Sequence, residues 1–209
     1  MEKKLYIFGT SGFAREVADI GLLLGYDIKL IGLTPGVDEI SGFEIISEDN
    51  VLNLDFQNSV FSIGVGEGEL RHKIFSKFPN LNYLNLIHPS ASMGTAQLDQ
   101  INRQRGNIIC AGVRFTNNIV VGDFGVYNLN VTVGHDCIIE DFVTISPGAN
   151  VSGNVHIKQQ SYIGTGSTIL QGQSLENKLI INDSATVGAG AVVVKEVQAH
   201  TIVKGIPAK

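Results

Sequence analysis

In the second half of the chain a large apolar residue recurs at every sixth position. From Ile109 the series runs Phe115, Val121, Tyr127, Val133, Ile139, Ile145, Val151, Ile157, Ile163, Ile169, Leu175, Ile181, Val187 and Val193. Two residues earlier in each unit stands a second, smaller set: Val113, Ile119, Gly125, Val131, Cys137, Val143, Ala149, Val155, Ser161 and Ser167. Gly, Asn or Ser follows many of the large residues, as at Gly122, Asn128, Gly134, Ser146 and Gly164. A period of six fits neither a helix nor two-residue alternation. It fits short strands that turn a corner every six residues, each sending one large and one small side chain inward. Three such faces close one coil of a triangular prism. The repeat therefore predicts about five coils, stacked roughly 4.8 Å apart by parallel ladders, each burying its apolar residues against its neighbours. The distance from Ile163 to Gly188-Ala189-Gly190 is one hexapeptide too long, and six residues are one face rather than a coil. Part of Gln171–Asn182 is therefore expected to bulge as a loop although it keeps the period.

The first 86 residues carry other patterns. Lys4–Gly9 and Ile28–Leu33 are apolar, β-prone runs, and Val60–Ile63 is a third. Phe13–Leu24 has helical spacing through Val17, Ile20, Leu23 and Leu24, and Leu70–Phe78 has it through Leu70, Ile74 and Phe78. Strand, glycine turn, helix and strand make a βαβ unit in a parallel sheet. The change of period follows Asn85-Leu86-Ile87-His88-Pro89, so the domains expected are 1–86 and 87–209.

Composition narrows the function. Of 209 residues, 44% are apolar, and the net charge is −5 with a pI near 5.5 and no basic run, which argues against nucleic acid as a partner. The apolar stretch after Met1-Glu2-Lys3-Lys4 is too short for a signal peptide or a membrane span. Cys110 and Cys137 are the only cysteines, so neither a disulfide framework nor a cysteine zinc site is expected. These features predict a cytoplasmic protein without membrane insertion.

Gly9-Thr10-Ser11-Gly12 joins a strand to a helix, where main-chain N–H groups and the helix dipole attract anions. It lacks the full dinucleotide fingerprint, because Arg15 stands where a third glycine would be. A phosphate site and a plain tight turn are both open there, as they are for Gly64-Val65-Gly66. Both turns fall at the carboxyl end of the sheet, where open α/β sheets bind ligands. Among five histidines, His72 lies in a predicted helix, His200 past the last repeat, His156 between inward positions and His88 at the domain junction. His135 follows Val133-Gly134 at a coil corner with Asp136 adjacent. A carboxylate beside an imidazole suits a general base. On the residues alone, a surface histidine at a corner fits as well. Three histidines converging on zinc are not expected, because His88, His135 and His156 share no repeat-related spacing.

Motifs spread over the whole chain resemble the bacterial sugar O-/N-acyltransferases of the hexapeptide superfamily. They are Gly9-x-Ser11-Gly12, Asn85–Ala91, Gly134-His135-Asp136-Cys137, Val187–Ala191 and Gly205–Lys209. The family includes UDP-4-amino-sugar N-acetyltransferases and sialic acid O-acetyltransferases. The resemblance implies a Rossmann-like N-terminal α/β domain, a left-handed β-helix and a homotrimer with active sites between neighbouring β-helices. It implies acetyl-CoA as co-substrate, no metal, and a nucleotide-linked amino sugar, foremost a UDP-4-amino-4,6-dideoxy sugar, as acceptor in surface glycan biosynthesis. It places the base on His135 and its acidic neighbour on Asp136. Substrate contacts fall on Ser11, Gly12, Phe13, Gly64 and Asn128, and acyl-CoA contacts on Thr144, Thr165 and Ala189. Thr144 stands where some relatives carry a second histidine, and Leu33-Thr34-Pro35 where many carry acidic residues. O-acetylation of a sugar hydroxyl and a non-catalytic, nucleotide-sugar-binding trimeric scaffold are the rival readings.

Overall fold

The apolar run near the N-terminus forms an inner strand of a five-stranded sheet. The computed structural model describes residues 3–209. β1 (Lys4–Phe8) pairs in parallel with β2 (Asp27–Gly32) on one side and β5 (Ser59–Ile63) on the other. β4 (Glu44–Ser47) continues the parallel sheet beyond β2, and β3 (Gly36–Val37) closes the edge antiparallel to it. Alternation along β1 sends Leu5 and Ile7 to one face, with Ala14, Val17 and Ala18 of α1 (Gly12–Leu23). Tyr6 and Phe8 go to the other, with Phe61, Phe78 and the β-helix residues Phe124 and Phe142. A strand covered on both faces reads as a continuous apolar run, as this one does. The helix spacing predicted over 70–78 becomes α2 (Gly68–Lys77). Leu23 and Leu24, counted on the apolar face of α1, are instead exposed.

Residues 86–203 form the parallel β-helix. Its first face has seven strands, from β6 (Leu86–Ile87) to Ile202–Val203. Its second has six, from β7 (Ser92–Met93) to Val192–Val193, and its third four, from Val120–Val121 to Leu179–Ile181. Where a third-face strand would begin the stack, a short helix, α3 (Gln97–Ile101), stands instead. The Gln97 and Gln100 amides imitate the absent strand: each accepts from and donates to the main chain of the edge strand, Gln97 at Ile119 and Gln100 at Val121.

One coil is eighteen residues, so Val126 pairs with Thr144 and Thr144 with Tyr162. The next rung joins Tyr162 to Thr186, twenty-four residues on. The extra six lie between the strands Thr168–Ile169 and Leu179–Ile181, as a loop over 170–178. Every large residue of the six-step series is buried except Leu175. Leu175 keeps the period but lies in this loop and is 55% exposed, as the bulge expected within 171–182 requires.

Corners repeat with the same period. Asn118, Phe124, Asn130, Asp136, Phe142, Asn154 and Gln160 all take positive φ, near +55° to +60°. Two of these are bulky phenylalanines, for which this conformation is uncommon. Their rings stack one coil apart, with centroids at 5.1 Å, and pack on Phe75 of α2.

At this junction Arg71 of α2 is fully buried. Its Nε donates to the carbonyl of Phe124, Nη1 to the carbonyls of Val65 and Gly66 and to Thr144 Oγ1, and Nη2 to the carbonyls of Phe142 and Val143, all at 2.8–3.0 Å. Desolvation lowers its pKa to about 9, which leaves it charged at neutral pH. The buried cation thus ties the turn after β5 to two successive coils.

Candidate active site

His135 and Asp136 occupy a corner between the second and third faces. Asp136 Oδ2 lies 2.6 Å from His135 Nδ1, and Asn118, one coil below, donates through Nδ2 to Oδ1. The Asn118 bond first, and the His135 bond second, hold the Asp136 carboxyl below its ordinary value. With an ionised carboxylate at Nδ1, the imidazole carries its proton there and presents Nε2 as an acceptor. The ring is 58% exposed, so Nε2 is open to a ligand. One coil above stands Gly153. A Cβ at this position would lie 2.7 Å from both Cε1 and Nε2 of His135, so the glycine makes room for the ring. Lys178 approaches from the inserted loop, and its ammonium donates to the main-chain carbonyl of Asp136.

The N-terminal candidates gather at the carboxyl ends of β1 and β5. Ser11 caps α1 in extended conformation without a side-chain capping bond, and no acidic residue sits in the first turn of the helix. Ser11 and Gly12 are exposed and Phe13 is half-buried. Gly64 donates to the carbonyl of Phe8, and a Cβ there would lie 2.8 Å from Ala14 Cα, so the two turns meet only because this residue is glycine. Arg15, one turn into α1, pairs with Asp38 at 3.2 Å.

The other expected residues divide. Asn128, Thr165 and Ala189 fall at corners between the first and second faces, the next edge of the prism from His135. Thr165 and Ala189 are exposed on successive coils, whereas Asn128 is half-buried and accepts from Leu129 N–H. Thr144 joins neither group. It is 4% exposed, and its hydroxyl donates to the Gly66 carbonyl while accepting from Arg71. Expected at the acyl-CoA, the residue points outward on the first face, but α2 covers that stretch.

The remaining histidines take supporting places. His88 Nδ1 accepts from Ser90 N–H at the junction, and the His72 ring packs on Phe142. His156, turned outward between the inward Val155 and Ile157, is half-buried and pairs with Glu140 at 2.6 Å. Among the described residues no group of three His, Cys, Asp or Glu side chains could hold a metal ion, and no helix is long and apolar enough to cross a membrane. Asn118, Gly153, Lys178 and Arg71 escaped the sequence reading. The first two lie one eighteen-residue coil from Asp136 and His135, a signal that counting coils would have found.

Comparison with known proteins agrees with this geometry. Residues 4–78 match the family described as the PglD N-terminal domain. The chain is 30% identical over 193 residues, 88% of its length and 82% of the relative's, to a protein named GDP-perosamine N-acetyltransferase from Escherichia coli O157:H7. The acetyltransferase domain of PglB from Neisseria gonorrhoeae FA1090, solved with acetyl coenzyme A, superposes with a TM-score of 0.87 at 28% identity, covering 100% of this chain and 99% of that one. WeeI from Acinetobacter baumannii AYE gives 0.87 at 29% identity, covering 99% and 98%. The fold is thus the left-handed parallel β-helix of hexapeptide acetyltransferases, preceded by a small α/β sheet. The chain belongs to the sugar O-/N-acyltransferase family of hexapeptide-repeat transferases. The expectation of an acetyl-CoA-dependent sugar N-acetyltransferase agrees with these relatives.

Proposed function

We propose that the protein transfers an acetyl group from acetyl-CoA to the amine of a nucleotide-linked amino sugar, with His135 as general base. The observation that carries this reading is the corner in which Asp136 holds His135 Nδ1 while Gly153 leaves room for the ring. As the amine attacks the thioester carbonyl, Nε2 takes its proton. The N–C bond forms, the C–S bond breaks, and the proton passes to the departing thiolate, releasing the CoA thiol. Main-chain N–H groups are proposed to stabilise the oxyanion.

Residues 1–86 are proposed to hold the nucleotide-sugar through Ser11, Gly12, Phe13 and Gly64, and 87–209 to perform transfer. Asn128, Thr165 and Ala189 lie one prism edge away from His135, so a joint site needs a second copy, and a homotrimer supplies it. The outward residues of the second and third faces support this reading. Arg114, Thr132, Asn150 and Thr168 make most of the second face polar, whereas the column of the third runs Val120, Ile138, His156 and Ile180, apolar except for the Glu140-paired His156. Cytoplasmic placement and a role in surface glycan biosynthesis belong to the same proposal, and both cysteines are free and buried.

The test is free-thiol release from acetyl-CoA with a panel of acceptors. A UDP-linked 4-amino-4,6-dideoxy sugar and GDP-perosamine come first, then a dTDP-amino sugar, with sialic acid as the hydroxyl control. Turnover of an amino sugar with none of sialic acid supports the proposal. Turnover of sialic acid alone would replace it with O-acetylation, and no turnover of any acceptor would favour a binding scaffold.

A further inference from the structure

The loop over 170–178 adds six residues to the repeat, and the transfer reaction uses none of them. It is folded onto the catalytic corner. Gly172 N–H donates to the carbonyl of Gly153, Leu179 N–H to that of Asn154, and Asn154 N–H to that of His135. The loop also satisfies itself: Gln173 and Asn177 bond through main and side chains, and the Ser174 hydroxyl takes the Glu176 carboxylate. What it sends outward is Lys178, half-buried, whose ammonium meets the Asp136 carbonyl.

Asp136 is held from several sides. Its φ is 61°, the left-handed conformation that the corners of this fold share and that an aspartate adopts more readily than most residues. Its N–H is held by the Asn117 carbonyl, one carboxylate oxygen by Asn118 and the other by His135. Lys178 supplies the contact at the carbonyl. We propose that the inserted loop braces the catalytic corner and that Lys178 is a positioning residue, clamping the backbone of Asp136 and so fixing the carboxylate that aims His135. This rests on the reading of His135 as the base. Because Lys178 acts through Asp136, its loss misplaces the base without touching either substrate.

The test uses the full chain, acetyl-CoA and the amino sugar that the wild type turns over. Lys178→Met should lower kcat about tenfold, since sub-ångström misplacement of a base costs up to roughly 10²-fold, with both KM values and Tm unchanged. Lys178→Arg should restore most of the rate. In a His135→Ala background, Lys178→Met should cost nothing further, because the group it positions is gone. If His135→Ala loses activity while Lys178→Met keeps the wild-type kcat, the brace is refuted and the base assignment stands. A raised KM for acetyl-CoA with kcat intact also refutes it, since Lys178 would then touch the donor. If His135→Ala keeps its rate, the base assignment fails and the brace with it.

Discussion

Replacing Arg71 by methionine keeps an unbranched, though shorter, side chain and removes every donor that the guanidinium brings to the junction of the two halves. No main-chain N–H among the described residues reaches the carbonyls of Val65, Phe124 or Phe142, so the guanidinium is their partner. A buried acceptor left unsatisfied costs about 1–3 kcal/mol, so three of them amount to roughly 3–9 kcal/mol. Relief of the guanidinium's own desolvation, which lowers its pKa to about 9, offsets part of that. The net expected is the lower end, about 3 kcal/mol, a large share of the roughly 5–15 kcal/mol that holds a protein folded. For a chain of this size that lowers Tm by roughly 6–12 °C, read by scanning calorimetry at matched protein concentration, because any oligomer makes Tm concentration-dependent. Arg71→Lys, with three donors for six acceptors, should fall between. A methionine variant melting within about 2 °C of wild type would refute the view that this cation carries the junction.

Gly153→Ala should leave Tm almost unchanged, because the added Cβ meets a movable imidazole rather than backbone, yet displacing that ring should lower kcat by about 10–10²-fold; an alanine variant with normal kcat contradicts the packing argument. Gly12 has open space, Arg15 Nη2 at 3.9 Å being the nearest atom, and no positive φ, so Gly12→Val should fold normally. It should raise KM for the nucleotide-sugar and not for acetyl-CoA, and an unchanged KM places the acceptor elsewhere. The folded pKa of Asp136 is depressed, so the stability it contributes is present above the unfolded value near 3.9 and is lost as pH falls through the lower folded value. Urea titrations should therefore show a smaller loss of stability below about pH 4 in Asp136→Asn than in wild type, and equal slopes would refute it.

The inward positions of the β-helix were legible because a period of six has one structural solution, and every coil obeys it from Ile109 to Ile169. The loop around Leu175 was legible as well, from the one hexapeptide too many between Ile163 and Gly188, although its residues keep the spacing while leaving the core. Phe124 and Phe142 at left-handed corners contradict local preference, and only their stacking on Phe75 across the chain accounts for them. His135 and Asp136 stood out because the motif is contiguous. Arg71 was invisible for the opposite reason: an arginine between Leu70 and Ile74 reads as the solvated side of a helix until the β-helix is placed over it. The burial of Thr144 was invisible at the same point, because the residue that donates to its hydroxyl is 73 positions away. β3 and β4 were missed because the stretch holding Asp38, Glu39 and Glu44 shows no sustained alternation.

The proposed transfer turns on His135 removing the proton of the acceptor amine. It is tested most directly by the kcat of His135→Ala in thiol release from acetyl-CoA with the accepted amino sugar, alongside the KM for acetyl-CoA. General-base catalysis is worth about 10²–10⁴-fold, so kcat should fall by that order with the KM for acetyl-CoA nearly unchanged. A variant that keeps more than about half of the wild-type kcat would contradict the account, because loss of a working base cannot cost less than that range.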